Sequence, residues 1–220
     1  MANLDRRALI AGTLAAASAQ ALPRLALAAM PTNASYKYAV LRNGKPFGTY
    51  GLVFATAGDT TTATTDVNMA AKVAGLTVFS YHHHCEEIWK AGRFQEMHSQ
   101  SQRDSDKDFC TAVRQPNGGI AITNKNGPLV APPTANPYTH WNPAVITGPL
   151  FNPETGFMLR LSAQSMGHEP FVMGSGAKAT GLHWAVRGES EIDEWYDDAG
   201  LWMGLKAVFP DKSIVEYRRV

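Results

Sequence analysis

The chain has 220 residues, 45 % of them hydrophobic and 18 % charged, with a formal net charge of +1. That is the length of one domain with ample apolar content for a core. A near-neutral charge with no dense Lys/Arg run argues against nucleic acid or an anionic membrane as partner, since both need a basic excess.

The first 28 residues read as an address rather than as fold. Asp5-Arg6-Arg7-Ala8-Leu9-Ile10 sets two arginines ahead of an apolar run from Ala11 to Leu22, and Ala26-Leu27-Ala28 is a small-x-small cleavage pattern. The expected destination is the periplasm by the twin-arginine route, which exports folded proteins; an ordinary secretory signal carrying Arg-Arg is the alternative. The run is too short and too interrupted for a transmembrane segment. Residues 29–220 are expected to form a single β domain. Arg6, Arg7, Arg24 and Asp5 leave with the leader, so that domain carries −1.

Period two dominates the rest of the chain. Tyr36, Tyr38 and Val40 share a face, and Asn43-Gly44 then gives a strong hairpin signal. Tyr50, Leu52 and Phe54 share a face of the next strand, which ends at Gly58-Asp59. Thr60 to Val73 is threonine-rich, and a branched β-carbon suits a pleated surface. Leu76 to Trp89 is a long strand, turned at Ala91-Gly92 into Phe94 to Ser101. Ser101 to Asp108 is polar and reads as a loop, and Asn117-Gly118-Gly119 as a turn between short strands.

Gly127 to Pro153 breaks the pattern with seven prolines, which cannot donate to a central ladder. Asn142-Pro143 reads as an N-cap with proline at the first helical position, opening a short helix through Ile146. The segment is either a lid or a plain crossover between two halves of the sheet. Strands resume over Ala177 to Arg187, Glu191 to Tyr196, Leu201 to Phe209 and Ser213 to Arg219. The fold class is all-β: a single strongly curved antiparallel sheet or open barrel of about ten strands, with a proline-rich crossover carrying a short helix.

Cys85 and Cys110 are the two cysteines. In an oxidising compartment an even count favours a disulfide, here closing a loop of about 25 residues and worth roughly 3 kcal/mol. Two ligands of a soft metal are the alternative.

The chain resembles an uncharacterised group of exported bacterial proteins, a domain of unknown function. The shared patterns are Tyr81-His82-His83-His84-Cys85-Glu86-Glu87-Ile88-Trp89 with Gly92-Arg93, then Trp141-Asn142-Pro143, then Glu194-Trp195-Tyr196-Asp197 with Gly200-Leu201-Trp202. The group is distantly similar to half-barrel periplasmic folds such as the outer-membrane lipoprotein carrier. By analogy of fold, that implies binding of an apolar ligand.

Alternation divides Tyr81 to Trp89 between two faces. Tyr81, His83, Cys85, Glu87 and Trp89 go with the aromatics and should face inward; His82, His84 and Glu86 should face solvent. With Ala91-Gly92 as a two-residue loop, Trp89 lies opposite Phe94, Glu87 opposite Glu96, and Cys85 opposite His98. That register gathers His83, Glu87, Glu96 and His98 as candidate catalytic residues, able to hold Zn²⁺ or to work as acid and base. Outer His82 and His84 at i, i+2 can chelate Cu²⁺ or Zn²⁺, and Met166, His168 and Met173 offer further copper-type ligands in a Gly-rich loop.

The leading expectation is a periplasmic domain that binds a small apolar molecule or lipid in the sheet's concavity. Tyr81, Trp89, Phe94, His140, Trp141 and Trp195 would form its walls, and His83 and Glu87 would orient the ligand. The alternatives are an isomerase, lyase or hydrolase, with or without a metal, and periplasmic copper binding. No phosphate loop, dinucleotide fingerprint or His-Glu-x-x-His is present to name a cofactor.

Overall fold

The computed structural model describes residues 31–220, so the leader expected over residues 1–28 lies outside the described residues. Short turns, of two residues everywhere but between the sixth and seventh strands, and alternating burial give eight consecutive strands: β1 (Ser35–Arg42), β2 (Lys45–Ala57), β3 (Thr60–Val73), β4 (Leu76–Lys90), β5 (Arg93–Arg103), β6 (Asp106–Arg114), β7 (Ile120–Asn124) and β8 (Gly127–Ala131). They form an antiparallel meander out to one sheet edge. The chain then crosses through β9 (Asn136–Pro137), a 3-10 turn (Pro143–Val145), β10 (Leu150–Phe151) and β11 (Met158–Leu159), and the three short strands pair with one another. It restarts at the far edge as β12 (Leu161–Val172) and returns through β13 (Lys178–Gly188), β14 (Glu191–Tyr196), β15 (Trp202–Val208) and β16 (Ile214–Arg219), which pairs with β1. The main sheet thus has thirteen strands in the order β12 to β16 and then β1 to β8, with β8 and β12 as unpaired edges. The expected curved all-β sheet is present, but with more strands than ten and without closure.

The tight turns are where the sequence put them. Asn43 and Gly44 both have positive φ (49° and 73°), as do Ala91 and Gly92 (48° and 74°), the conformation that matches a two-residue loop to strand twist. The loop expected over Ser101 to Asp108 shrinks to Asp104-Ser105, because β5 and β6 run on through it. Its polar residues divide between the faces, with Ser101 buried and Asp104 to Lys107 exposed. β12 is a strand that the sequence pattern does not announce. It carries Gly167 and Pro170 and a bulge between Ser165 and Gly167, which an edge tolerates. The opposite edge, β8, likewise carries Pro128. A proline at each edge removes one donor that a further strand would need.

The proline-rich segment lies across the concave face and supplies its filling. Ala135, Leu150 and Phe151 are fully buried there. Trp141 packs edge-on to Phe54 and Trp89, with ring centroids at 5.0 and 5.4 Å, and Phe94 meets Phe151 at 5.9 Å. Asn142 caps the 3-10 turn by accepting from Ala144 N, with Pro143 at its first position, as its sequence implied.

The two cysteines are free, buried thiols. Cys85 is in register with Ser99, and Ser99 with Cys110, so β5 separates them. Two strand spacings put the α-carbons roughly 9.6 Å apart, beyond the roughly 7 Å a disulfide can bridge. The disulfide expectation therefore fails, because the cysteines lie on next-nearest strands.

Candidate functional site

β4 presents two ionisable groups to the concave face. His83 and Glu87 are 8 % and 3 % exposed, while His82 and His84 on the opposite face are exposed. This is the division that strand alternation requires. The other half of the expected cluster is elsewhere. Trp89 does pair with Phe94, but Ile88 then pairs with Glu96, so Gln95 is bulged out of register. The one-residue slip turns Glu96 and His98 to the solvent face, where they pair with each other at 2.6 Å, and places Met97 opposite Glu87. His83 and Glu87 are four residues apart on one strand, roughly 13 Å by strand rise. The four-residue catalytic cluster is not assembled.

What the fold assembles instead is a pair of buried carboxylates gripping the crossover. Trp89 Nε1 donates to Glu87 Oε2 at 2.9 Å. Thr139 and Trp141 face the same carboxylate from the crossover; Trp141 Nε1 stops short of hydrogen-bond geometry and has no partner. Burial pushes the Glu87 carboxyl up to about 7, against the pull of these donors and of His140. Across the concavity Glu194, with no exposed surface, accepts from Tyr138 Oη (3.0 Å), His140 Nδ1 (2.7 Å) and Trp202 Nε1 (2.7 Å). Alternate residues of one extended stretch thus reach opposite walls: Tyr138 and His140 toward Glu194, Thr139 and Trp141 toward Glu87.

Between crossover and sheet lies a cavity of about 130 Å³. Its lining includes Tyr50, Tyr81, His83, Glu87, His140 and Glu154. Glu154 enters from the Asn152–Gly156 loop and accepts from Tyr81 Oη at 2.7 Å. Asn152 Oδ1 holds that loop by accepting from Glu154 N and Thr155 N. His83 Nδ1 is buried without a partner, and burial lowers the imidazole's pKa. The burial of Glu87 and the partial exposure of His140 and Glu154 mark the deep and the solvent-facing sides.

Of the expected wall residues, Tyr81 and His140 line the cavity, and Trp89, Phe94 and Trp141 lie in the packed core beside it. Trp195 does not join them. It faces the other side of the sheet, where it packs with Phe171 and Met203 and stacks on His183 at 4.4 Å. Met166 and His168 stand on β12 rather than in a loop, with Met166 exposed and His168 against Asp198. On the outer face His82 Nδ1 meets Asn68 and His84 Nδ1 meets Asp66. Among the described residues no three His, Cys, Asp or Glu side chains converge on a possible metal position. Sequence reasoning misses Glu194 and Glu154 as site residues. Glu194 was legible, because it alternates with Ile192 and Tyr196 on the inward face of β14; Glu154 sits on a loop, where no periodicity exists to place it.

The comparisons with known proteins agree with this architecture. Residues 38–220 match the family described as a domain of unknown function, DUF6134, and the chain belongs to that family. Its fold is similar to that of a solved β-barrel-like protein of domain of unknown function DUF1849 from Brucella abortus. The TM-score is 0.57 at 9 % identity, over 86 % of this chain and 98 % of that one. No curated protein matches.

Proposed function

We propose that this is an exported domain that binds a small ligand in the cavity between its curved sheet and its crossover. The observation that carries the proposal is a cavity lined both by His83, whose buried Nδ1 is unpartnered, and by a buried acid, Glu87, that no lysine or arginine pairs. A buried polar atom without a partner costs about 1–3 kcal/mol, and a ligand that bonds it recovers that cost. Export rests on the Arg6-Arg7 leader pattern.

The cavity's size decides what kind of ligand is meant. Drug-sized ligands occupy roughly 300–1,000 Å³, and an engineered cavity of about 150 Å³ holds benzene. At about 130 Å³ this one takes a molecule of that scale, not an acyl chain. A carrier of the half-barrel kind needs an empty concavity, and here Trp141, Leu150 and Phe151 fill it. The binding reading also outranks the enzymatic one, because His83 and Glu87 stand too far apart on β4 to act on one bond as acid and base.

The test is a ligand-observed NMR screen of small fragments on the mature chain and four variants. His83→Ala and Glu87→Gln should lose the hits while keeping the fold by circular dichroism; His82→Ala and His84→Ala should keep both. Hits lost only with the outer pair would overturn the proposal and move the site to the solvent face.

A further inference from the structure

Two acids, Glu87 and Glu154, line the cavity with two imidazoles, His83 and His140, and no lysine or arginine does. The Arg103 guanidinium lies over the Tyr81 ring at 5.7 Å and is not part of the lining. Glu194 adds a third carboxylate immediately behind His140.

Four tyrosines share the rest of the wall with Thr65, Val67, Cys85, Thr139 and Pro153. Tyr50, Tyr81, Tyr138 and Tyr217 come from β2, β4, the crossover and β16 to surround one space. Three of their hydroxyls are already committed: Tyr81 donates to Glu154, Tyr138 donates to Glu194, and Tyr50 bonds Thr65. What Tyr50 and Tyr138 offer an occupant is therefore ring surface, whereas Arg103 already lies over the ring of Tyr81. A ring face carries negative quadrupole density and attracts a cation, by about 0.5–2 kcal/mol, more when the site is dry. Carboxylates behind such rings reinforce that preference and repel an anion.

We propose that the cavity's ligand is a small organic cation, an alkylammonium of about the size of choline. This rests on the binding function proposed above and names its ligand class. A tetrahedral ammonium with methyl substituents fits the volume, presents apolar surface to the tyrosine rings and brings a positive charge to Glu154 and to Glu87, whose ionised form it favours. His83 lines the same space, and its imidazole can bond a hydroxyl or other polar tail on the cation.

The experiment is isothermal titration of the mature protein with choline and with its neutral isostere, in which tert-butyl replaces trimethylammonium. Choline should bind at least about tenfold more tightly than the isostere, the size of effect that cation–ring contacts supply. At least one of Glu87→Gln and Glu154→Gln should weaken choline by about tenfold and leave the isostere within about twofold. Equal or tighter binding of the isostere, no saturable choline binding, or choline binding that neither variant changes would each overturn the proposal. A fragment screen that still finds neutral hits lost in Glu87→Gln would then leave the binding site standing and remove only its preference for a cation.

Discussion

Glu87 is buried among aromatic rings with one well-formed hydrogen bond, from Trp89, and its carboxyl is pushed up to about 7 chiefly by burial. A carboxyl raised in the folded state favours folding only while it is protonated. Its contribution is therefore complete below the ordinary carboxylate value of 4.5 and is lost as pH climbs to about 7. Across that window wild type should lose roughly 3 kcal/mol relative to Glu87→Gln, whose side-chain oxygen still accepts from Trp89. Urea unfolding of both proteins at several pH values measures the difference; parallel curves would show that Glu87 titrates normally. At this scale the sequence was half legible. Strand alternation alone buries His83 and Glu87 and exposes His82 and His84. It fails one hairpin partner later, because the bulge at Gln95 has no glycine or proline to announce it, and one slipped residue sends Glu96 and His98 outside.

The crossover's grip on the sheet comes from an element with almost no regular structure of its own. Trp141 is 3 % exposed and wedged between Phe54 and Trp89. Trp141→Ala should cost about 3–5 kcal/mol in chemical unfolding, as for other buried aromatic truncations. A cost below about 1 kcal/mol would mean that the crossover does not hold the concavity closed. The loop that carries Glu154 is equally constrained. A β-carbon at Gly156 (φ +71°) would stand 2.4 Å from Ile122 Cγ2, so Gly156→Ala should destabilise the fold measurably and weaken any cavity ligand. The β4–β5 turn points the other way. Ala91 holds φ +48°, which asparagine adopts more readily, so Ala91→Asn should gain about 0.5–1 kcal/mol in thermal unfolding. Turns of this kind were readable because glycine, asparagine and positive φ are local matters. β12 was not, since an edge strand accepts the proline and glycine that argue against a strand elsewhere.

Over the whole molecule the chain travels from one sheet edge to the other through its own concavity, and that path fixes what the interior can hold. The first and last strands, β1 and β16, pair and join the two meanders, so the ends of the sheet meet only through the crossover. No periodicity reports such a path, which is why the strand count and the filling of the concavity were not legible. The same topology sets Cys85 and Cys110 on either side of β5. Burial raises both thiols, Cys85 well above its usual value and Cys110 to about 11. The native protein should therefore resist a thiol reagent, and the unfolded, unreduced protein should release two thiols; none released would mean a disulfide and a different β4–β6 register. The decisive measurement is a crystal structure of the β domain, residues 29–220, with its tightest-binding small ligand. The ligand should lie between β4 and the crossover, in contact with His83 and with Glu87 or Glu154. A ligand seated on the outer face beside His82 and His84, with only water in the interior cavity, would contradict an interior binding site.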